Sequence, residues 1–381
     1  MIQGRATQGV GTKEELVVAT ELTAPPILQL ENLAQHFTLG GGLLRSGQTL
    51  YAVDGVSFTL AAGKTLGLVG ESGCGKSTLA RSLLKLQQPS SGRIHFNGQD
   101  ITDYSVRQMR PLRQQMQLVF QDPQESLNSR HTIATILQEP FVIHGLGTAK
   151  ERQVWAGELL QRVGLPISAL NRYPHEFSGG QRQRIGIARA MALKPKLLVC
   201  DEAVSALDVS VQSQILNLLL SLQQEYQLAM LFIAHNLSVV KHISDHIAVM
   251  YLGRIIELAP SDDLYVQALH PYTQALLAAI PEPDPRRRKA PLMLQGEPPS
   301  PANPPSGCHF RTRCPYVGER CIKEVPSLLS AEPTLGVEPL LNTEQVDGDA
   351  HYVACHFYRE IMSGERLPQN VQSCDIIAPL T

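Results

Sequence analysis

The run Gly70-Glu71-Ser72-Gly73-Cys74-Gly75-Lys76-Ser77 constrains this chain more than any other feature. It has the pattern G-x-x-x-x-G-K-S. A short apolar run at 66–69 precedes it, and a helical pattern over 78–86 follows it. That strand–loop–helix order is the context in which the pattern cradles phosphates. Its glycines let backbone N–H groups turn inward, and the helix start adds positive partial charge. Gly70, Gly73 and Gly75 therefore form a predicted phosphate loop. Lys76 is expected to reach the β- and γ-phosphates, Ser77 to ligate Mg²⁺, and Thr78 to belong to the same nucleotide contact. Cys74 reads as a small filler within the loop, although a helix start can activate a thiol.

A phosphate loop needs an acidic metal partner on a neighbouring strand. Leu197-Leu198-Val199-Cys200 is apolar enough for a buried parallel strand, and Asp201 and Glu202 stand at its C-terminal end, where ligands bind in such sheets. Asp201 is expected to hold Mg²⁺ through water, and Glu202 to act as the general base on the attacking water. Between the two motifs lies Phe177-Ser178-Gly179-Gly180-Gln181, ahead of a helical run over 182–193. Ser and Gly before a helix suit a second phosphate contact. The two predicted phosphate-binding helix starts lie about 100 residues apart. One nucleotide and one chain explain that poorly; two chains sandwiching each nucleotide explain it well.

Composition bounds the rest. A length of 381 residues suggests two or three domains, and 43% hydrophobic residues supply ample core. The net charge of −2 argues against a strongly basic nucleic-acid binder. No apolar run reaches the length of a membrane span; the best stretch, 215–234, is broken by Asn217, Gln223, Gln224, Glu225 and Gln227. Lys13, Glu14 and Glu15 interrupt the first residues, so no signal-peptide core is expected, and the chain is predicted to stay in the cytosol. Residues 1–26 read as a flexible segment and 27–275 as an α/β core. Residues 276–305 read as a Pro-rich linker containing Arg286-Arg287-Arg288-Lys289, a solvated charge run. Residues 306–381 read as a Cys-rich module and tail. Its thiols follow Cys308-x₅-Cys314-x₆-Cys321, then Cys355. A reducing compartment disfavours disulfides. Structural Zn²⁺, a [4Fe–4S] cluster and unligated thiols are the readings that compete, with His309, His351 and His356 nearby as further donors.

Taken together, these motifs resemble the nucleotide-binding subunits of ABC transporters, in their order and spacing, over about residues 27–360. The resemblance narrows to the oligopeptide/dipeptide (and nickel) importer ATPases through Ala52-Val53-Asp54-Gly55-Val56-Ser57, Gln121-Asp122-Pro123, Ser205-Ala206-Leu207-Asp208-Val209-Ser210, His270-Pro271-Tyr272-Thr273 and Gly307-Cys308-His309-Phe310-Arg311-Thr312-Arg313-Cys314-Pro315. It implies a P-loop (RecA-like) core with an antiparallel β portion, a helical subdomain at about 127–178, and a small Cys-rich C-terminal module. Helical spacing of Val154, Leu159, Leu160 and Val163 fits that subdomain. By the same resemblance Gln121 senses Mg²⁺ and touches the permease, Asp208 lies across the dimer, His235 contacts the γ-phosphate, and Phe37 stacks on adenine. Ser178, Gly179, Gly180 and Gln181 close over the partner's nucleotide. The implied cofactors are ATP, Mg²⁺ and a [4Fe–4S] cluster on Cys308, Cys314, Cys321 and Cys355, with Zn²⁺ the alternative. The implied partners are two transmembrane permease subunits, a second ABC ATPase or another copy of this chain, and indirectly an extracytoplasmic solute-binding protein, with no nucleic acid. The implied location is the cytoplasmic face of the membrane. Two positions depart from the family pattern: Phe177 replaces Leu, and Ala203 replaces Pro. The competing class is a soluble ABC ATPase without a permease; such proteins usually carry two cores or a long coiled coil, and this chain has one core and no sustained heptads.

Overall fold

A computed structural model describes residues 25–40, 47–122, 126–280, 294, 296–331 and 350–368. The expected flexible segment before residue 25, the basic run 286–289, Pro123 and Cys374 lie outside the described residues.

Two sheets organise the chain. β1 (Leu28–Leu39), β2 (Gln48–Leu60), β4 (Ser91–Phe96) and β5 (Gln99–Asp100) form an antiparallel sheet in the order β2-β1-β4-β5. Among the described residues the second sheet has eight strands. Its centre is parallel: β9 (His246–Tyr251), β3 (Thr65–Val69), β8 (Ala229–Ala234), β7 (Leu197–Asp201) and β6 (Met116–Val119) lie side by side. β3, β7 and β8 are buried along their whole length, so both faces are covered and the sequence reads as continuous apolar runs. Leu231, Phe232 and Ile233 are all 0% exposed, and each contributes roughly 1.5–3 kcal/mol of hydrophobic stabilisation.

The C-terminal part completes this sheet. β10 (Arg254–Pro260) pairs antiparallel with β9, then β12 (Tyr352–Val353) and β11 (Leu329–Ser330) follow at the edge. The Cys-rich region is thus hydrogen-bonded into the core.

A helical lobe holds its own cluster of apolar side chains. Helix Ile133–Ile143 starts at Thr132, whose hydroxyl accepts the Thr135 N–H. Helix Ala149–Arg162 starts with a capping box between Thr148 and Glu151. Ile136, Leu137, Phe141, Leu160 and Val163 pack with Ile185 and Ala188 of helix Gly179–Met191. Val154, expected on the apolar face, is 55% exposed. Phe177 is buried in the same cluster, with the Arg172 guanidinium 4.6 Å from its ring centroid, so an aromatic ring is accommodated at this position.

Candidate functional site

β3 ends at Val69, and the chain turns through the phosphate loop into helix Lys76–Leu83. Gly75 caps that helix in the left-handed region, φ 110°, and no side chain occupies the cap. The first N–H groups of the helix are therefore left to a ligand. Lys76 is only 4% exposed; its ammonium donates to the carbonyls of Gly70 (2.8 Å) and Glu71 (3.0 Å).

Beside the loop opens a cleft of about 290 Å³. Gly73, Gly75, Lys76, Ser77 and Thr78 line it, joined by Phe37, Gln121 and Glu202 from three other segments. The Ser77 hydroxyl donates to Asp201 Oδ1 at 3.0 Å, which ties the loop to the end of β7. Asp201 is buried, and desolvation pushes its carboxyl above the usual range against the pull of the Ser77 hydrogen bond. A buried carboxylate facing a hydroxyl is a fitting half-site for a divalent cation. Glu202 sits at φ 48°, a left-handed backbone that a non-glycine residue adopts at a cost. Its N–H donates to the Ile233 carbonyl (3.0 Å), and its Oε2 accepts from Gln121 Nε2 (2.7 Å). The strained turn aims the carboxylate into the cleft beside Lys76 and Ser77. Ala203 is buried immediately behind it.

The remaining predicted residues stand elsewhere. Ser178, Gly179, Gln181, Asp208 and His235 are exposed, Gly180 is half-buried, and none of the six lines the cleft. Ser178 caps helix Gly179–Met191 in a capping box with Gln181. Its hydroxyl oxygen accepts the Gln181 N–H (3.4 Å), while its own N–H donates to Gln181 Oε1 (3.0 Å). Asp208 stands at the start of helix Val209–Tyr226 without a side-chain hydrogen bond to it. Gly70 supports the loop through its carbonyl rather than lining the cleft.

Several cleft residues escaped the sequence reading: Leu50, Ala52, Ser72 and Pro301. Pro301 lies in the predicted Pro-rich linker, yet its carbonyl accepts the Tyr51 N–H (3.0 Å) and it shares the cleft wall with Phe37. No local signal marks it, because the contact joins distant parts of the chain.

The four C-terminal thiols also converge. Cys308, Cys314, Cys321 and Cys355 line one tight cavity of about 10 Å³, with Phe310, His356 and Phe357. Burial pushes the Cys308 thiol up to about 11, and the Cys314 and Cys355 thiols up to about 12; neighbouring thiols add to the shift. All six described cysteines are free. Among the described residues no three Cys, His, Asp or Glu side chains are placed to hold one metal ion. No helix among the described residues is long and apolar enough to cross a membrane.

Comparison with known proteins agrees with this geometry. Residues 53–205 match the ABC transporter family, and residues 256–321 match the oligopeptide/dipeptide transporter C-terminal region. An oligopeptide transport ATP-binding protein, AppF of Bacillus subtilis, is 50% identical over 336 residues, covering 87% of this chain and 97% of its own. A putative peptide import ATP-binding protein of Brucella ovis is 53% identical over 312 residues, covering 82% and 96%. Among solved structures, CbiO1 of Clostridium perfringens, part of an ABC transporter complex, superposes with a TM-score of 0.56 at 27% identity, over 64% of this chain and 92% of that one. The ATP-binding cassette MJ0796, a dimer in a post-hydrolysis state bound to ADP and Pi, gives a TM-score of 0.55 at 25% identity, over 61% and 98%. The chain belongs to the ABC-type ATPases, as an ATP-binding subunit that carries the oligopeptide/dipeptide transporter C-terminal region.

Proposed function

We propose that this chain powers an importer for oligopeptides or dipeptides. The observation that carries the reading is near full-length similarity, at half identity, to proteins named for oligopeptide transport and peptide import. Residues 27–275 serve as the nucleotide-binding domain, with a helical subdomain at 127–178. Residues 276–305 link it to a C-terminal Cys-rich module at 306–381. The chain works at the cytoplasmic face of the membrane, against two permease subunits. It pairs with a second ABC ATPase or another copy of itself, and an extracytoplasmic binding protein delivers the solute.

In this reading ATP lies in the cleft, with adenine on Phe37 and the phosphates over Gly70, Gly73, Gly75, Lys76, Ser77 and Thr78. Ser77, Gln121 and Asp201 would hold Mg²⁺, which offsets phosphate charge. Ser178, Gly179, Gly180 and Gln181 of the opposing subunit close over the γ-phosphate, with Asp208 at the shared boundary. Dimer closure is the two-state element, and ATP biases it by binding the closed form more tightly. Glu202 takes the proton of the attacking water, and His235 orients the γ-phosphate; hydrolysis then reopens the dimer. The exposure of Ser178 and Asp208 outside the cleft of their own chain supports a site finished by a second subunit.

The Cys cavity fits a thiolate-ligated group by its donor set. Cys308, Cys314, Cys321 and Cys355 converge there, and burial holds the Cys308, Cys314 and Cys355 thiols above their ordinary range. The family resemblance favours a [4Fe–4S] cluster on Cys308, Cys314, Cys321 and Cys355, with Zn²⁺ the alternative, although among the described residues no three such side chains are arranged to hold one metal ion. Bound there, a [4Fe–4S] group supplies cross-linking to a module with little core of its own.

Replacing the base tests the reading. Glu202→Gln should lower phosphate release by the reconstituted transporter about 10²–10⁴-fold while ATP binding persists. Turnover at the wild-type rate would remove Glu202 from the role.

A further inference from the structure

The Cys-rich module reaches the back of the phosphate loop. Arg313, adjacent to Cys314, forms a bidentate pair with Glu71, the first variable residue of the loop. Nη1 donates to Oε2 at 2.8 Å and Nη2 to Oε1 at 3.1 Å. The Arg313 side chain is 6% exposed and that of Glu71 27%, so the pair is shielded more than a surface ion pair. The Glu71 N–H is held separately: it donates to the Tyr272 hydroxyl at 2.9 Å. Tyr272 is itself fully buried, with ring centroids 4.8 Å from Tyr251 and 5.5 Å from Phe310. Phe310 lies two residues beyond Cys308 and lines the thiol cavity.

Glu71 is therefore gripped at its backbone by one C-terminal element and at its carboxylate by another. Its carbonyl in turn accepts from the Lys76 ammonium. Any shift of Glu71 moves the amides that follow it and a carbonyl that holds Lys76. Phosphate recognition by backbone N–H groups depends on their being aimed before the ligand arrives, because ordering them on binding costs affinity. Free glycine-rich loops have much freedom to lose.

We propose that Arg313 and Tyr272 are positioning residues for the phosphate loop, so that MgATP affinity depends on the folded Cys-rich module. The inference rests on the ATP-binding reading above, and its test separates the two. Full-length chains carrying Arg313→Gln, Glu71→Gln, both together, Arg313→Lys and Tyr272→Phe are titrated with MgATP. KM and kcat are then measured in the assembled transporter. Arg313→Gln and Glu71→Gln should each weaken MgATP binding about tenfold, as expected for loss of a hydrogen bond between charged groups. The double variant should be no weaker than either single one, since both remove the same pair. Arg313→Lys should recover part of the affinity, and Tyr272→Phe should weaken binding about threefold or more. In turnover the effect should fall more on KM than on kcat. Additive losses in the double variant, or unchanged MgATP affinity with only a lower melting temperature, overturn the proposal. Should Arg313→Gln fail to fold, Tyr272→Phe decides alone: unchanged affinity refutes, weakened affinity supports. A wild-type chain that binds no MgATP refutes the nucleotide reading itself.

Discussion

Gly75 has no room for a side chain. Its φ is 110°, and a Cβ there would sit 2.0 Å from the Ala52 carbonyl oxygen and 3.0 Å from Met250 Cε. The first contact is with backbone, so it cannot be relieved by a rotamer change. The conformation alone costs a non-glycine residue about 1–3 kcal/mol, and the clash adds to it. Gly75→Ala should therefore lower the melting temperature and weaken MgATP binding at least about tenfold, both by calorimetry. A variant that keeps both values would show that the loop relaxes freely. Glu202 illustrates the opposite bargain. It holds a left-handed backbone without being glycine; its side chain lines the cleft and its N–H is fastened to the Ile233 carbonyl.

At the scale of elements, the turn into helix Pro271–Ala278 joins core to module. The Glu257 carboxylate, on β10, accepts the Leu269 N–H (2.6 Å) and the His270 N–H (3.0 Å), and meets His351 Nε2 at 2.8 Å. His270 caps the helix by accepting the Tyr272 N–H at its Nδ1, 3.0 Å. Burial lowers its pKa from 6.5 to about 4, with Glu257 opposing the shift. The folded chain thus keeps His270 neutral where the unfolded chain protonates it. Between pH 6.5 and 4 the unfolded state binds more protons, so stability falls as pH falls; the full effect is about 3 kcal/mol. His270→Asn keeps a capping acceptor and removes the titration. Its melting temperature should fall less than that of the wild type between pH 7 and 4.5, and equal slopes would clear His270 of the effect. These C-terminal elements are the least legible in the sequence. β3, β7 and β8 announce themselves as unbroken apolar runs because both of their faces are covered. The capping residues Thr148 and Ser178 likewise carry their signal within three residues. β11 and β12 are two residues long each and acquire meaning only by pairing beyond β10. Arg313 meets Glu71 across 242 positions, and proline at 301 signals a linker although its carbonyl still serves as an acceptor. Local patterns encode local partners; long-range contacts need the topology first.

At the scale of the whole molecule, the chain carries, on the proposed reading, two halves of different sites. Its cleft holds the phosphate loop, Gln121 and Glu202, whereas Ser178 stands exposed outside that cleft at the head of helix Gly179–Met191. A substitution at Ser178 can therefore separate binding from turnover. Asp is a good N-cap residue, able to accept the Gln181 N–H as Ser178 now does. Ser178→Asp should leave the melting temperature and the MgATP affinity of the isolated chain near wild type. On the proposed reading, in the assembled transporter the same carboxylate would face the γ-phosphate of the opposing subunit, and like-charge contact across an interface costs several kcal/mol. Turnover should then fall roughly 10²-fold or more. Parallel measurement of nucleotide binding by the single chain and phosphate release by the complex checks both halves at once. Intact binding with lost turnover supports a nucleotide sandwiched between two subunits. Loss of binding in the isolated chain would place Ser178 at its own nucleotide, and full turnover in the complex would leave the opposing phosphate out of its reach.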